Sequence, residues 1–216
     1  MTAQDVFRRV TEALERAGIA YMLTGSFASS YHGAPRATQD IDMVISPNPD
    51  QLRSLVTLLP ATEYYVDLDA ALDAQRRQGL FNIIDLATGW KIDLIIRKSR
   101  PFSRAEFDRR SVVEFEGMRL SIATAEDVLI AKLEWAKLGD SQRQVEDAAG
   151  ILRIRSQDLD RTYIENWVRQ LKIEEQWDAA CRAAGGAGAG GVRSGRPPQC
   201  WGRRASCPGP RLPGGA

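Results

Sequence analysis

Hydrophobic and polar positions follow two rhythms along this chain, and the switches between them mark out its elements. Val6, Val10 and Leu14 fall on one helical stripe, with a capping box of Thr2 and Asp5 before it and Gly18 closing it. A short strand from Ala20 to Leu23 follows, then a helix from Ser26 to Tyr31 and a strand from Ile41 to Ile45. Pro49 to Leu59 is helical, with its proline in the first turn, and Asp67 to Gln78 is a helix stopped by Gly79. Phe81 to Leu86 and Trp90 to Ile96 form a hairpin around Ala87-Thr88-Gly89, and Val112 to Phe115 with Met118 to Ile122 form another around Glu116-Gly117. From Thr124, an N-cap followed by acidic Glu126 and Asp127, the helical period runs to about Ala184. The pattern predicts an α/β fold: a small mixed sheet flanked by helices over residues 1–122, then a helical subdomain over 123–184. No internal repeat is visible.

Three aspartates interrupt the apolar strands. Asp40 and Asp42 lie in Gln39-Asp40-Ile41-Asp42-Met43-Val44-Ile45, and Asp93 lies in Lys91-Ile92-Asp93-Leu94-Ile95-Ile96. Strand side chains alternate between faces, so Asp40 and Asp42 share one face while Ile41, Met43 and Ile45 take the other, and Asp93 repeats the arrangement. A carboxylate on a buried strand is costly unless something positive stands beside it. If the two strands are neighbours, three carboxylates converge, and hard oxygen ligands of this kind suit Mg²⁺ or Mn²⁺. Asp85, on the first arm of the hairpin, competes for the third place, but it lies close to the turn.

Upstream, Tyr21-Met22-Leu23-Thr24-Gly25-Ser26-Phe27-Ala28 is a strand running through Gly-Ser into a helix. Such a junction offers backbone N–H groups, a hydroxyl and the positive end of a helix dipole to a phosphate. A phosphate cradle and a metal cage are the two halves of phosphoryl-transfer chemistry.

These residues resemble the nucleotidyltransferases of DNA polymerase β-like fold, whose signature is Gly-Ser, then Asp-x-Asp, then a third strand-borne Asp. Gly25, Ser26, Ala28, His32, Gly33, Arg36, Thr38 and Asp40 are further similar to the pattern of bacterial abortive-infection (AbiEii-like) toxin nucleotidyltransferases and their uncharacterised relatives. The resemblance implies that Gly25, Ser26 and Arg36 meet the nucleoside triphosphate, ATP or another, and that Asp40, Asp42 and Asp93 are the catalytic metal ligands. Asp93 would also help to activate the acceptor hydroxyl. A second block, Glu126 to Lys132, Trp135 and Ser141 to Asp147, is similar to the same group, which implies that Lys132 meets phosphate while Arg143 and Asp147 orient the site. Spacing alone reads that block as an amphipathic helix with solvated charges. The implied reaction moves a nucleoside monophosphate to an acceptor hydroxyl on an RNA or tRNA end, a protein or a small molecule. The implied partner is an antitoxin protein, and the alternative is a catalytically silent nucleotide-binding or interaction module on the same fold.

Composition narrows the setting. The chain has 216 residues, 29 Lys and Arg against 28 Asp and Glu, and three cysteines. No cysteine precedes Cys181, so a disulfide framework and a thiolate metal site are excluded from the body. No apolar run approaches a membrane span, and Met1-Thr2-Ala3-Gln4-Asp5 lacks the basic and apolar regions of a signal peptide, so the expected setting is the cytoplasm. No acidic residue follows Asp178, so the body is mildly acidic, with a local basic path at Arg36, Arg97, Lys98, Arg100 and Arg104. His32 reads as a helix-end contact and not as a catalyst. Trp135 and Trp167 read as core, while Tyr31 or Phe27 could stack a base. Residues 185–216 are rich in Gly, Ala, Arg and Pro without a hydrophobic period and cannot build a core. That composition is what a shifted reading frame in GC-rich DNA encodes, with a basic tether as the rival reading.

Overall fold

The computed structural model describes residues 3–33, 40–115 and 117–186. The elements, in chain order, are α1 (Ala3–Arg16), β1 (Tyr21–Leu23), α2 (Gly25–His32), β2 (Asp40–Ile45), α3 (Pro49–Leu58), β3 (Tyr64–Tyr65) and α4 (Leu68–Arg77). There follow β4 (Leu80–Asp85), β5 (Lys91–Ile96), α5 (Pro101–Asp108), β6 (Ser111–Phe115), β7 (Met118–Ile122), α6 (Ala125–Gly139), α7 (Gln142–Arg155), α8 (Arg161–Leu171) and α9 (Glu174–Gly186). Thr2, Arg36, Thr38 and nearly all of the tail lie outside the described residues.

Among the described residues, seven strands form one mixed sheet in the order β3-β4-β5-β2-β1-β7-β6. β2 lies at its centre, parallel to β5 and antiparallel to β1. On the inward face of these strands and of β4, Ile41, Met43, Ile92, Leu94 and Ile83 are fully buried, with Asp85 joining them at the end of β4. Burying each of these apolar side chains contributes about 1.5–3 kcal/mol, which fixes which face of β2 turns inward. Asp40, Asp42 and Asp93 are thereby forced onto the other face, under α2, which packs on β2, α6 and α7.

Local chemistry sets the helix ends. Asn48 and Gln51 form a reciprocal capping box at α3, with Pro49 in its first turn. Asp67 caps α4 by accepting from the Ala70 N–H at 2.9 Å, and Thr124 caps α6. The helical stretch predicted from Thr124 divides into four helices: Asp140 and Lys172 take left-handed conformations (φ 45° and 56°) that end α6 and α8, while α7 ends at Arg155 without one. Gln78, not Gly79, is the left-handed residue that ends α4. The two-residue β3 and the helix α5 are absent from the sequence reading. No helix among the described residues is long and apolar enough to cross a membrane.

Candidate active site

The register of β2 and β5 sets the central geometry: Asp42 stands directly opposite Asp93, and Asp40 opposite Lys91. β4 extends the row, with Asn82 opposite Asp93. The Asn82 side-chain N–H donates to Oδ1 of Asp93, and the Lys91 ammonium lies 3.0 Å from its Oδ2. Lys91 has a raised pKa, chiefly through that hydrogen bond, with the charges of Asp93, Asp40 and Asp42 adding to it. Asp85 belongs to the other face of β4 and is consumed by its own turn, accepting from the Thr88 N–H at 2.9 Å and hydroxyl at 2.7 Å.

Asp42 is partly buried on β2. Burial pushes its carboxyl pKa up and the Asp93 charge pushes it further, while the Ser26 N–H and the Lys132 charge oppose them. The backbone reinforces this junction, for the Thr24 N–H donates to the Asp42 carbonyl at 3.0 Å. Gly25 opens α2 with φ +63°, a conformation that an L side chain adopts at a cost, and a Cβ there would stand 2.6 Å from Cγ of Asp42. Only glycine lets the helix start this close to the carboxylate. The first turn of α2 therefore presents the positive end of its dipole directly above Asp42.

Lys132 reaches the same place from α6. It is buried, and its ammonium lies 2.8 Å from Oδ2 of Asp147 on α7. Gly25, Ser26, Asp42, Lys132, Trp135 and Gln144 line a cavity of about 150 Å³ together with Thr24, Ile95, Val128 and Ala131. Arg143 is exposed on α7 and is not part of that wall. Its neighbour Gln144 is, and the Gln144 Oε1 is buried with no hydrogen-bond partner among the described residues. Sequence reasoning passed over Asn82, Lys91 and Gln144. The first two carried a legible signal, since a period of two puts Lys91 on the Asp93 face and the hairpin puts Asn82 across from it.

A second cleft of about 120 Å³ adjoins the first, sharing Thr24, Ile95, Ala131 and Trp135. Arg97 and Lys98 lie on it, and buried Glu106 forms part of its wall. Burial raises the Glu106 pKa to about 8, with the Asp127 charge as the next cause. The basic path expected here is partly spent: Arg100 forms a two-pronged ion pair with Glu134, and Arg97 lies 5.5 Å from the Phe107 ring centre. Trp135 is 60% exposed on this rim instead of buried in the core, whereas Trp167 packs on Phe102. Phe27 and Tyr31 pack against Phe115 and line neither cavity. His32 is buried, its Nε2 2.7 Å from the Ala123 carbonyl, and burial lowers its pKa.

Among the described residues, no group of three His, Cys, Asp or Glu side chains is gathered closely enough to hold a metal. The donor chemistry nevertheless fits a hard divalent cation. Asp40, Asp42 and Asp93 share one sheet face, all three act on the Lys91 ammonium, and Asp42 is held against its charged state by burial and by Asp93. A cation placed among them would relieve that repulsion.

No protein-family model and no curated protein matches the sequence. Solved structures match in shape. The antibiotic-resistance factor ANT(2″)-Ia, in complex with adenylyl-2″-tobramycin, aligns with a TM-score of 0.53 at 12% identity, over 81% of this chain and 99% of that one. Its solution structure aligns at 0.50 and 11% identity, over 82% and 92%. Identities this low speak to architecture alone. The seven-stranded mixed sheet formed by the described residues, with its flanking helices, is an α/β architecture shared with these two structures.

Proposed function

We propose that this protein is a metal-dependent nucleotidyltransferase that moves a nucleoside monophosphate from a nucleoside triphosphate to an acceptor hydroxyl, releasing pyrophosphate. The observation that carries the reading is Asp42 opposite Asp93 on adjacent parallel strands, directly beneath the first turn of α2. Gly25 and Ser26 bind the triphosphate through backbone N–H groups and the Ser26 hydroxyl. Lys132 neutralises phosphate charge, and Asp147 holds Lys132 in place. Arg143 assists from the exposed side of α7, and Arg36 meets the triphosphate as the family resemblance implies. Asp40, Asp42 and Asp93 would hold two Mg²⁺ ions, which supply charge neutralisation at the transferred phosphate and a lowered pKa at the acceptor hydroxyl. The acceptor oxygen bonds to the α-phosphorus as the bond to pyrophosphate breaks, and Asp93 takes the hydroxyl proton. Trp135, exposed where the two clefts meet, is the surface against which a base stacks.

The acceptor is an RNA or tRNA end, a protein or a small molecule. The resemblance to abortive-infection toxins supports a role as the toxin of a toxin–antitoxin pair, acting in the cytoplasm where nucleoside triphosphates and RNA are found. Pyrophosphate release from ATP, GTP, CTP or UTP with Mg²⁺ and total cellular RNA tests the reaction. The contact of Lys91 with Asp93 favours one second reading, a catalytically silent nucleotide-binding module. Magnesium-dependent binding without pyrophosphate release would mark it.

A further inference from the structure

A buried polar atom with no partner is rare in a folded protein, because an amide stripped of water and given nothing in return raises the free energy of the fold. The Gln144 Oε1 is such an atom among the described residues. Gln144 is one of the residues that line the cavity shared with Gly25, Ser26, Asp42 and Lys132, with its Oε1 tucked behind that wall.

Its position on α7 limits what it could meet. Gln144 and Asp147 are three residues apart on one helix, so their side chains are neighbours, with Cβ atoms on the order of 5–6 Å apart. Asp147 holds the Lys132 ammonium at 2.8 Å, and the Lys132 charge in turn acts on Asp42. The amide therefore lies about one helical turn from the cation assigned to phosphate. Phosphate oxygens accept hydrogen bonds and offer nothing to an amide oxygen. The next group along a nucleotide is its sugar, whose hydroxyls both donate and accept. Such a group satisfies the amide in either orientation, whichever way its oxygen and nitrogen are assigned.

We propose that Gln144 binds a ribose hydroxyl of the nucleotide and so selects ribonucleotides, a role that rests on the nucleotidyl-transfer reading above. The unsatisfied oxygen burdens the free protein and is relieved on binding, so the side chain strengthens the complex at the expense of the fold.

Magnesium-dependent binding to the full chain tests this. The titrants are whichever of ATP, GTP, CTP and UTP binds wild type best, and its 2′-deoxy and 3′-deoxy forms. Gln144→Ala is expected to weaken the ribonucleotide roughly five-fold while leaving one deoxy form as wild type binds it. Gln144→Leu, which removes the buried oxygen but keeps the bulk, is expected to melt at or above wild type without nucleotide. Equal weakening of all three nucleotides, or no weakening, would overturn the ribose contact alone. A wild type that binds none of the four triphosphates would overturn the transfer reading and this role with it.

Discussion

Gly25 and Asp42 meet so closely that no side chain fits between them: a Cβ on Gly25 would lie 2.6 Å from Cγ and 2.7 Å from Cβ of Asp42. Gly25→Ala must therefore displace either the aspartate or the start of α2, and it must also hold φ near +63°. The expected cost in stability is about 2 kcal/mol, read by urea denaturation. Nucleotide affinity should fall by more than that strain accounts for, because the carboxylate and the phosphate cradle move together.

Lys91 is drawn to the same carboxylates that are proposed to hold Mg²⁺, and its side chain is 45% exposed. An ion pair this open is weak, on the order of 0–1 kcal/mol. Lys91→Met should accordingly lower the Mg²⁺ concentration for half-maximal nucleotide binding by about two- to five-fold. An increase instead would show that Lys91 serves the nucleotide and does not compete with the metal.

Glu106 gives the fold a pH dependence with a definite sign. Its folded pKa, about 8, lies above the ordinary value of 4.5, so the unfolded chain releases the proton first as pH rises. The stability this group contributes is complete below about pH 4.5 and is lost progressively up to about pH 8. Glu106→Gln, which keeps the neutral shape, should flatten that slope and raise stability at pH 8 by on the order of 4 kcal/mol. Thermal melts of both proteins from pH 5 to pH 9 provide the check.

The Lys132–Asp147 pair should behave as a buried unit. Asp147→Asn leaves a buried ammonium short of its partner and is expected to cost about 3 kcal/mol. Adding Lys132→Met removes the buried ammonium itself, so the double variant should recover much of that loss in a double-mutant cycle while binding nucleotide worse than either single variant.

Much of this site is readable from period and punctuation, and the remainder depends on distance along the chain. Alternation in β2 and β5 places Asp40, Asp42 and Asp93 away from the apolar face, and the Gly25-Ser26 junction announces the turn above them. The pairing of Asp42 with Asp93 arises from a crossover that no local pattern encodes. The same holds for Arg100, taken in sequence as a free basic residue but tied in the fold to Glu134, 34 positions away. Trp135 looked like core because α6 is largely apolar, with Val128, Leu129, Ile130 and Leu133 all buried; its outward position depends on how α6 sits on the sheet. Lys172 has no glycine or proline beside its left-handed turn, and at the end of α6 it is Asp140 and not the preceding Gly139 that turns left-handed, so the helix boundaries they create went unread.

The account rests on Asp42 and Asp93 acting as a pair on the transferred phosphate, and pyrophosphate release by Asp42→Asn and Asp93→Asn tests it most directly. Each substitution keeps the size of the side chain and removes one of two facing negative charges, so both variants should fold with wild-type circular dichroism and at least wild-type melting temperature. Both should also lose Mg²⁺-dependent pyrophosphate release by a factor of a thousand or more, equivalent to about 4 kcal/mol of transition-state stabilisation. Two well-folded variants that release pyrophosphate at the wild-type rate would contradict the account.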